Sequence, residues 1–181
     1  EDVLGRMLSA MEGKPVDVVL RVTGDDILVD PDYIDRAVEH HLTTNSEYSD
    51  LKALPSGTEV EVFDAELLQL IHRLAIDPTG TEYLTTYVTD HRDQIRHSSV
   101  PVDPKHAHDW RLTLDTTEDY AVISGLLKAM AAKGKAIDYR LDDIVEYFGG
   151  RPEALAANAG VRQRQTPISV NTGLDWSRLI G

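Results

Sequence analysis

Along this chain the apolar residues switch repeatedly between helical spacing and the short runs or alternations of a strand. Val3, Leu4, Met7, Leu8 and Met11 fall on one helical face across Asp2 to Met11, and Gly13-Lys-Pro15 stops that helix. Val16 to Val22 is valine and leucine apart from Asp17 and Arg21, the pattern of a strand covered on both faces in a parallel sheet. Pro31 to Leu42 reads as a helix with Asp30 at the N-cap and Pro31 at the first helical position. Thr58-Glu-Val-Glu-Val-Phe63 alternates strictly and predicts a half-exposed strand, followed by a helix from Ala65 to about Ile76 that Asp64 can cap.

The second half continues the alternation. Asp77-Pro-Thr-Gly80 breaks the chain before an amphipathic helix near Glu82 to Asp90, and Gln94 to Val100 reads as a strand. After a loop over Pro101 to Asp109 comes a strand, Trp110 to Leu114, and then a long helix from Glu118 to about Lys133. Thr116 and Asp119 form the capped start of that helix. Short helices are predicted at Tyr139 to Phe148 and Pro152 to Asn158, and Gly160 to Gly181 reads as an extended tail that packs on its own domain or on a partner. Strands alternating with helices predict an α/β fold.

In this pattern Asp25 and Asp115 hold matching positions, each just past an apolar strand. Taken alone, Gly24-Asp25-Asp26 is a turn and Asp115 a helix-capping residue. Ligands of open parallel sheets bind beyond the carboxyl ends of the strands, however, and two carboxylates converging there repel unless a cation holds them. A divalent metal facing a phosphate is the chemistry this placement suggests. Glu59 and Glu61 share one face of their strand, which reads as a solvated outer face.

Composition narrows the choices. At 181 residues the chain is sized for one domain, and no apolar run approaches a membrane span. A net charge of -13 argues against a nucleic-acid partner, and the absence of cysteine removes thiolate chemistry and is compatible with the cytoplasm. His40, His41, His72, His91, His97, His106 and His108 lack the spacing of a helical zinc site, and no Gly-rich phosphate loop, dinucleotide fingerprint or serine-hydrolase elbow is present.

Four segments in order carry a resemblance: Arg21-Val-Thr-Gly-Asp-Asp-Ile-Leu-Val-Asp-Pro31, Ser56-Gly-Thr-Glu-Val-Glu-Val-Phe63, Thr81-Glu-Tyr-Leu-Thr-Thr-Tyr-Val88 and Arg111-Leu-Thr-Leu-Asp-Thr-Thr-Glu-Asp119. From Glu1 to about Tyr147 the chain resembles the spore coat polysaccharide biosynthesis protein F type of cytidylyltransferase, a relative of the CMP-sialic acid and CMP-KDO synthetases. The resemblance implies a three-layer α/β/α, nucleotide-diphospho-sugar transferase-like (Rossmann-like) fold. It also implies Mg²⁺-dependent transfer of CMP from CTP to a sugar acid of the nonulosonic or KDO kind. By that similarity Asp25 and Asp115 are the catalytic, Mg²⁺-binding aspartates, and Gly57, Glu59, Glu61, Glu82, Thr85 and Tyr87 line the sugar side near a homodimer interface. Arg111 would meet the sugar carboxylate.

Family members begin with a strand and a Gly-, Arg- and Lys-bearing loop that grips the triphosphate, and the resemblance starts beyond that segment. The expectation is therefore an N-terminally truncated fold needing a missing half: residues 1–135 as the C-terminal portion of the nucleotidyltransferase-like domain, 136–160 as a helical extension and 161–181 as a tail. Asp26-Ile27 stands where the family has Cys-Pro, Thr81-Glu82-Tyr83 where it has Arg-Glu-His, and Thr117 where it has proline. Two other functions stay open on these residues: a non-catalytic interaction or dimerisation module retaining the fold, and a carboxylate-metal phosphate-ester hydrolase built on Asp25, Asp26 and Asp115.

Overall fold

A computed structural model describes residues 2–77, 83–162 and 171–179. Its ten regular elements among those residues are α1 (Val3–Met11), β1 (Val18–Arg21), α2 (Pro31–Thr44), β2 (Tyr48–Asp50), β3 (Glu61–Asp64), α3 (Ala65–Leu74), α4 (Leu84–Asp90), β4 (His97–Ser99), α5 (Thr117–Ala132) and α6 (Leu141–Gly149). The strands lie in the order β1-β3-β2-β4. In β3 successive side chains face opposite ways, so Val62 enters a core built with α2, α5 and α6 while Phe63 enters a second core with α1, α3 and α4. Helices thus cover both faces of the sheet, which gives the three-layer α/β/α arrangement.

The sheet is mixed where the sequence predicts a parallel one. β3 runs antiparallel to both β1 and β2, and β2 runs parallel to β4. The cause is connectivity: the helix α2 carries the chain over from β1 to β2 in the same sense, and β3 then doubles back and inserts between them. Two burial expectations reverse with it. β1 is an edge of the described sheet, only partly buried along its length, whereas β3 is central and Glu61 is buried within it. β2 itself lies in a polar stretch that carries no strand signal, yet all three of its residues are buried.

Trp110 to Leu114 forms no strand beyond a single bridge between Arg111 and Ser56. Its N–H groups go to different neighbours, Leu112 to the Ser56 carbonyl at 2.6 Å and Leu114 to the Asp25 carbonyl at 3.0 Å, so it threads between two loops without building a ladder. That threading delivers Asp115 beside Asp25.

The caps follow the sequence with one exception. Asp30 accepts from the Asp32 N–H at 2.9 Å and Asn45, in the left-handed region at φ 51°, closes α2. Thr116 and Asp119 form a reciprocal capping box on α5. Asp64 precedes α3 but makes no side-chain cap bond; its carboxylate lies 3.1 Å from His41 Nε2 instead. Pro152–Leu155 is one 3₁₀ turn where a short helix was expected. The described part of the tail packs on its own domain: Leu174 bridges Ala75 and is buried in the second core.

Candidate active site

Beyond the end of β1 the chain turns through Thr23-Gly24-Asp25-Asp26, with the Asp26 N–H donating to the Thr23 carbonyl at 3.1 Å. Thr23 Oγ1 donates to Asp26 Oδ2 at 2.6 Å, so Asp26 serves the turn and Asp25 is turned toward the incoming segment. There Thr113 Oγ1 donates to Asp25 Oδ2 at 3.3 Å, and Asp115 lines the same groove as Asp25. Burial opposes ionisation of Asp25, but the bonds from Thr23, its own backbone, Asp115 and Thr113 outweigh it and hold the group below the usual carboxylate range. Asp26 moves the other way, raised by burial and by the charge of Asp25 against the Thr23 bond.

The close approach depends on Gly57. Its φ of 94° lies in the region that favours glycine, and a Cβ there would stand 2.2 Å from the Thr113 nitrogen and 2.3 Å from the Leu112 carbonyl carbon. Only a residue without a side chain lets the segment from Arg111 to Asp115 lie this close to the loop that leads into β3.

Asp115 is braced from behind. Arg111 Nη2 donates to Asp115 Oδ2 at 2.6 Å, and the same guanidinium makes a two-point contact with the fully buried Asp119, Nε to Oδ1 at 2.9 Å and Nη2 to Oδ2 at 2.8 Å. Asn158 Nδ2 donates to Asp119 Oδ1 and to the Arg111 carbonyl, both at 2.9 Å. Desolvation works against an ionised Asp119, yet Arg111, Asn158 and the Asp115 N–H bring it far below its ordinary value. The Asp119 bond in turn raises Arg111. The structure therefore engages Arg111 with carboxylates of its own chain.

These parts meet in a groove of about 400 Å³ lined by Asp25, Asp26, Asp115, Gly57, Glu59, Glu61 and Thr85, together with Arg21, Thr23, Lys52, Tyr83 and Thr113. Glu61 is fixed on its wall by Arg21 Nη1, by Thr85 Oγ1 and by Tyr48 OH at 2.8 Å. Glu59 is pushed up to about 7, first by burial and then by the charges of Asp26, Glu61 and Asp50, with Lys52 opposing. Tyr87 is not brought to the groove; it is buried in the second core, its hydroxyl donating to the Asp77 carbonyl. Glu82 lies outside the described residues.

Arg21, Lys52 and Thr113 are groove residues that sequence reasoning missed. A signal existed for Arg21, the single cation in an otherwise apolar strand, and the sheet pairs it directly opposite Glu61. Lys52 carries no comparable signal. His41, His97 and His106 are each paired with an aspartate, respectively Asp64, Asp50 and Asp142. Among the described residues no three His, Asp or Glu side chains converge as a metal site, and no helix is long and apolar enough to cross a membrane. The arrangement offers two carboxylates lining one acidic groove, which can share a cation only if a ligand or water completes its shell.

The chain resembles several known proteins. The chain is 30% identical over 156 residues to the spore coat polysaccharide biosynthesis protein SpsF of Bacillus subtilis (strain 168), covering 85% of this chain and 64% of that protein. It is 27% identical over 165 residues to the uncharacterized protein MJ1063 of Methanocaldococcus jannaschii, covering 91% of this chain and 66% of that one. The chain thus spans about two thirds of the length of these curated relatives. The fold matches the solved structure of a cytidylyltransferase from Leptospira borgpetersenii serovar Hardjo-bovis (strain JB197) with a TM-score of 0.76 at 22% identity, over 91% of this chain and 67% of that one. Residues 1–144 match the profile of the family described as Cytidylyltransferase, and the protein belongs to that family.

Proposed function

We propose that this chain supplies the metal- and acceptor-binding side of a cytidylyltransferase that transfers CMP from CTP to a hydroxyl of a sugar acid. The placement of Asp25 and Asp115 on one groove, in a chain of this family, carries the reading. Two carboxylates that open into one groove can be joined by a cation. Mg²⁺ suits the donor set, because it takes one or two carboxylates and leaves its other positions to water and substrate phosphates. When bound there it would neutralise charge building on the α-phosphate and the departing pyrophosphate.

The chain's own residues account for the rest of the geometry. Arg111 and Asp119 hold Asp115 in place, and Thr113 holds Asp25. Arg21, Tyr48 and Thr85 keep Glu61 rigid, so the acceptor side of the groove is preorganised. Arg21 and Lys52 face Glu61 and Glu59 respectively, so the triphosphate must draw its other cations from outside this groove. The reading assigns those cations to the third of the relatives' length that this chain does not span. It also takes in a homodimer and a cytoplasmic setting, both on the strength of the family likeness.

Pyrophosphate release by the full-length protein, with CTP, Mg²⁺ and a panel of nonulosonic and KDO-like acids, tests the proposal. Release that requires both CTP and one acid is the expected result. Silence with every nucleotide and acceptor would remove the transferase reading and favour a binding module.

A further inference from the structure

Glu59 is the groove carboxylate that no hydrogen bond fixes among the described residues. Thr113 bonds Asp25, Thr23 bonds Asp26, Arg111 bonds Asp115, and three donors converge on Glu61. Glu59 has one ion pair, to Lys52 Nζ at 3.7 Å, and its side chain keeps 22% of its surface open. It sits two residues past Gly57, whose bare backbone lets the Thr113 segment close against the same wall, so Glu59 and the two aspartates open into one groove.

The proposed transfer needs a group that is free to accept a proton. As the acceptor oxygen bonds to the α-phosphorus, the bond from that phosphorus to the bridging oxygen breaks and pyrophosphate leaves with its electron pair. The hydroxyl proton must go elsewhere. Asp25 and Asp115 are committed to the cation, Asp26 to its turn, and Glu61 already accepts from three donors.

We propose that Glu59 is the general base of the reaction, its carboxylate taking the proton of the acceptor hydroxyl as the new oxygen–phosphorus bond forms. The proposal rests on the transferase reading above. Its surroundings suit the role: burial first, then Asp26 from the turn after β1, Glu61 from β3 and Asp50 from β2 raise it, against Lys52 from the loop after β2, to about 7. A base poised near the working pH combines an available carboxylate with useful proton affinity.

The test uses the full-length protein with CTP, Mg²⁺ and the sugar acid it accepts. Wild-type kcat should rise with pH and level off above about 7. Glu59→Gln should lower kcat by about 100-fold or more, remove that limb and leave KM for CTP little changed, whereas Glu59→Asp should keep the limb with part of the rate. A glutamine variant with wild-type kcat and the same limb overturns the role of Glu59 while the transferase reading stands. Wild-type protein without any pyrophosphate release overturns both. Independently of any variant's folding, a ¹³C NMR titration of the wild-type carboxyl should find its midpoint near 7, and a midpoint in the usual glutamate range overturns the proposal.

Discussion

Arg111 grips Asp119 at two points, Nε to Oδ1 at 2.9 Å and Nη2 to Oδ2 at 2.8 Å, and the same guanidinium holds Asp115. Asp119 is fully buried, so removing it strands a cation that has little access to water. Asp119→Ala should cost about 3–5 kcal/mol, read as a lower midpoint in urea unfolding. The pH dependence has a definite sign. The folded-state value of Asp119 is depressed, so its stabilisation is complete above the ordinary aspartate range and is lost as acid titrates down through the folded value.

The convergence of Asp25 and Asp115 on one groove predicts separate responses with and without metal. Mg²⁺ at several times its Kd should stabilise the wild type by about 1 kcal/mol. Asp25→Asn should abolish that gain and, in metal-free buffer, melt somewhat below the wild type, because the folded state favours the ionised carboxylate. Thermal melts with EDTA and with Mg²⁺ read both. A variant that responds to Mg²⁺ as the wild type does would place the cation elsewhere.

Gly57→Ala meets two obstacles at once, a positive φ and a Cβ that would overlap the Leu112–Thr113 backbone. The strain alone should cost about 1–3 kcal/mol, with displacement of the segment adding to it. Because that segment carries Asp115, the variant should also lose part of its Mg²⁺ response. Chemical denaturation and the same metal titration would measure the two effects.

Glu59 predicts a pH dependence opposite to that of Asp119. Its folded-state value is raised from 4.5 to about 7, so its favourable contribution is complete below the unfolded value and disappears as pH rises through the folded one. Glu59→Gln should therefore be more stable than the wild type at pH 8 by about 1–2 kcal/mol, with the difference shrinking toward pH 5. Paired unfolding curves at the two pH values decide it.

Much of this fold is legible where local signals and tertiary demands coincide. The Asp30-Pro31 start of α2 and the Thr116/Asp119 box of α5 declare themselves in sequence because capping chemistry is local. Asp25 and Asp115 could be paired from position alone, since each follows an apolar run that leads into the same sheet region. β2 could not be read, because Tyr48-Ser-Asp50 owes its burial to partners far away: Ser49 bonds His41 at 2.9 Å and Asp50 bonds His97 at 2.8 Å. Glu61 misleads for the same reason. Alternation with valine marks a solvated face only when no neighbouring strand supplies an arginine, and here β1 supplies Arg21.

Asn158 reaches back to Asp119 from beyond residue 144, where the match to the family profile stops. The end of the matched profile is consequently not the end of the site. A polypeptide trimmed to the matched span would retain both aspartates and every groove residue, yet Asp119 would give up a neutral amide donor for water. The carboxylate that keeps Arg111 behind Asp115 would then depend on the guanidinium and the capping bonds alone.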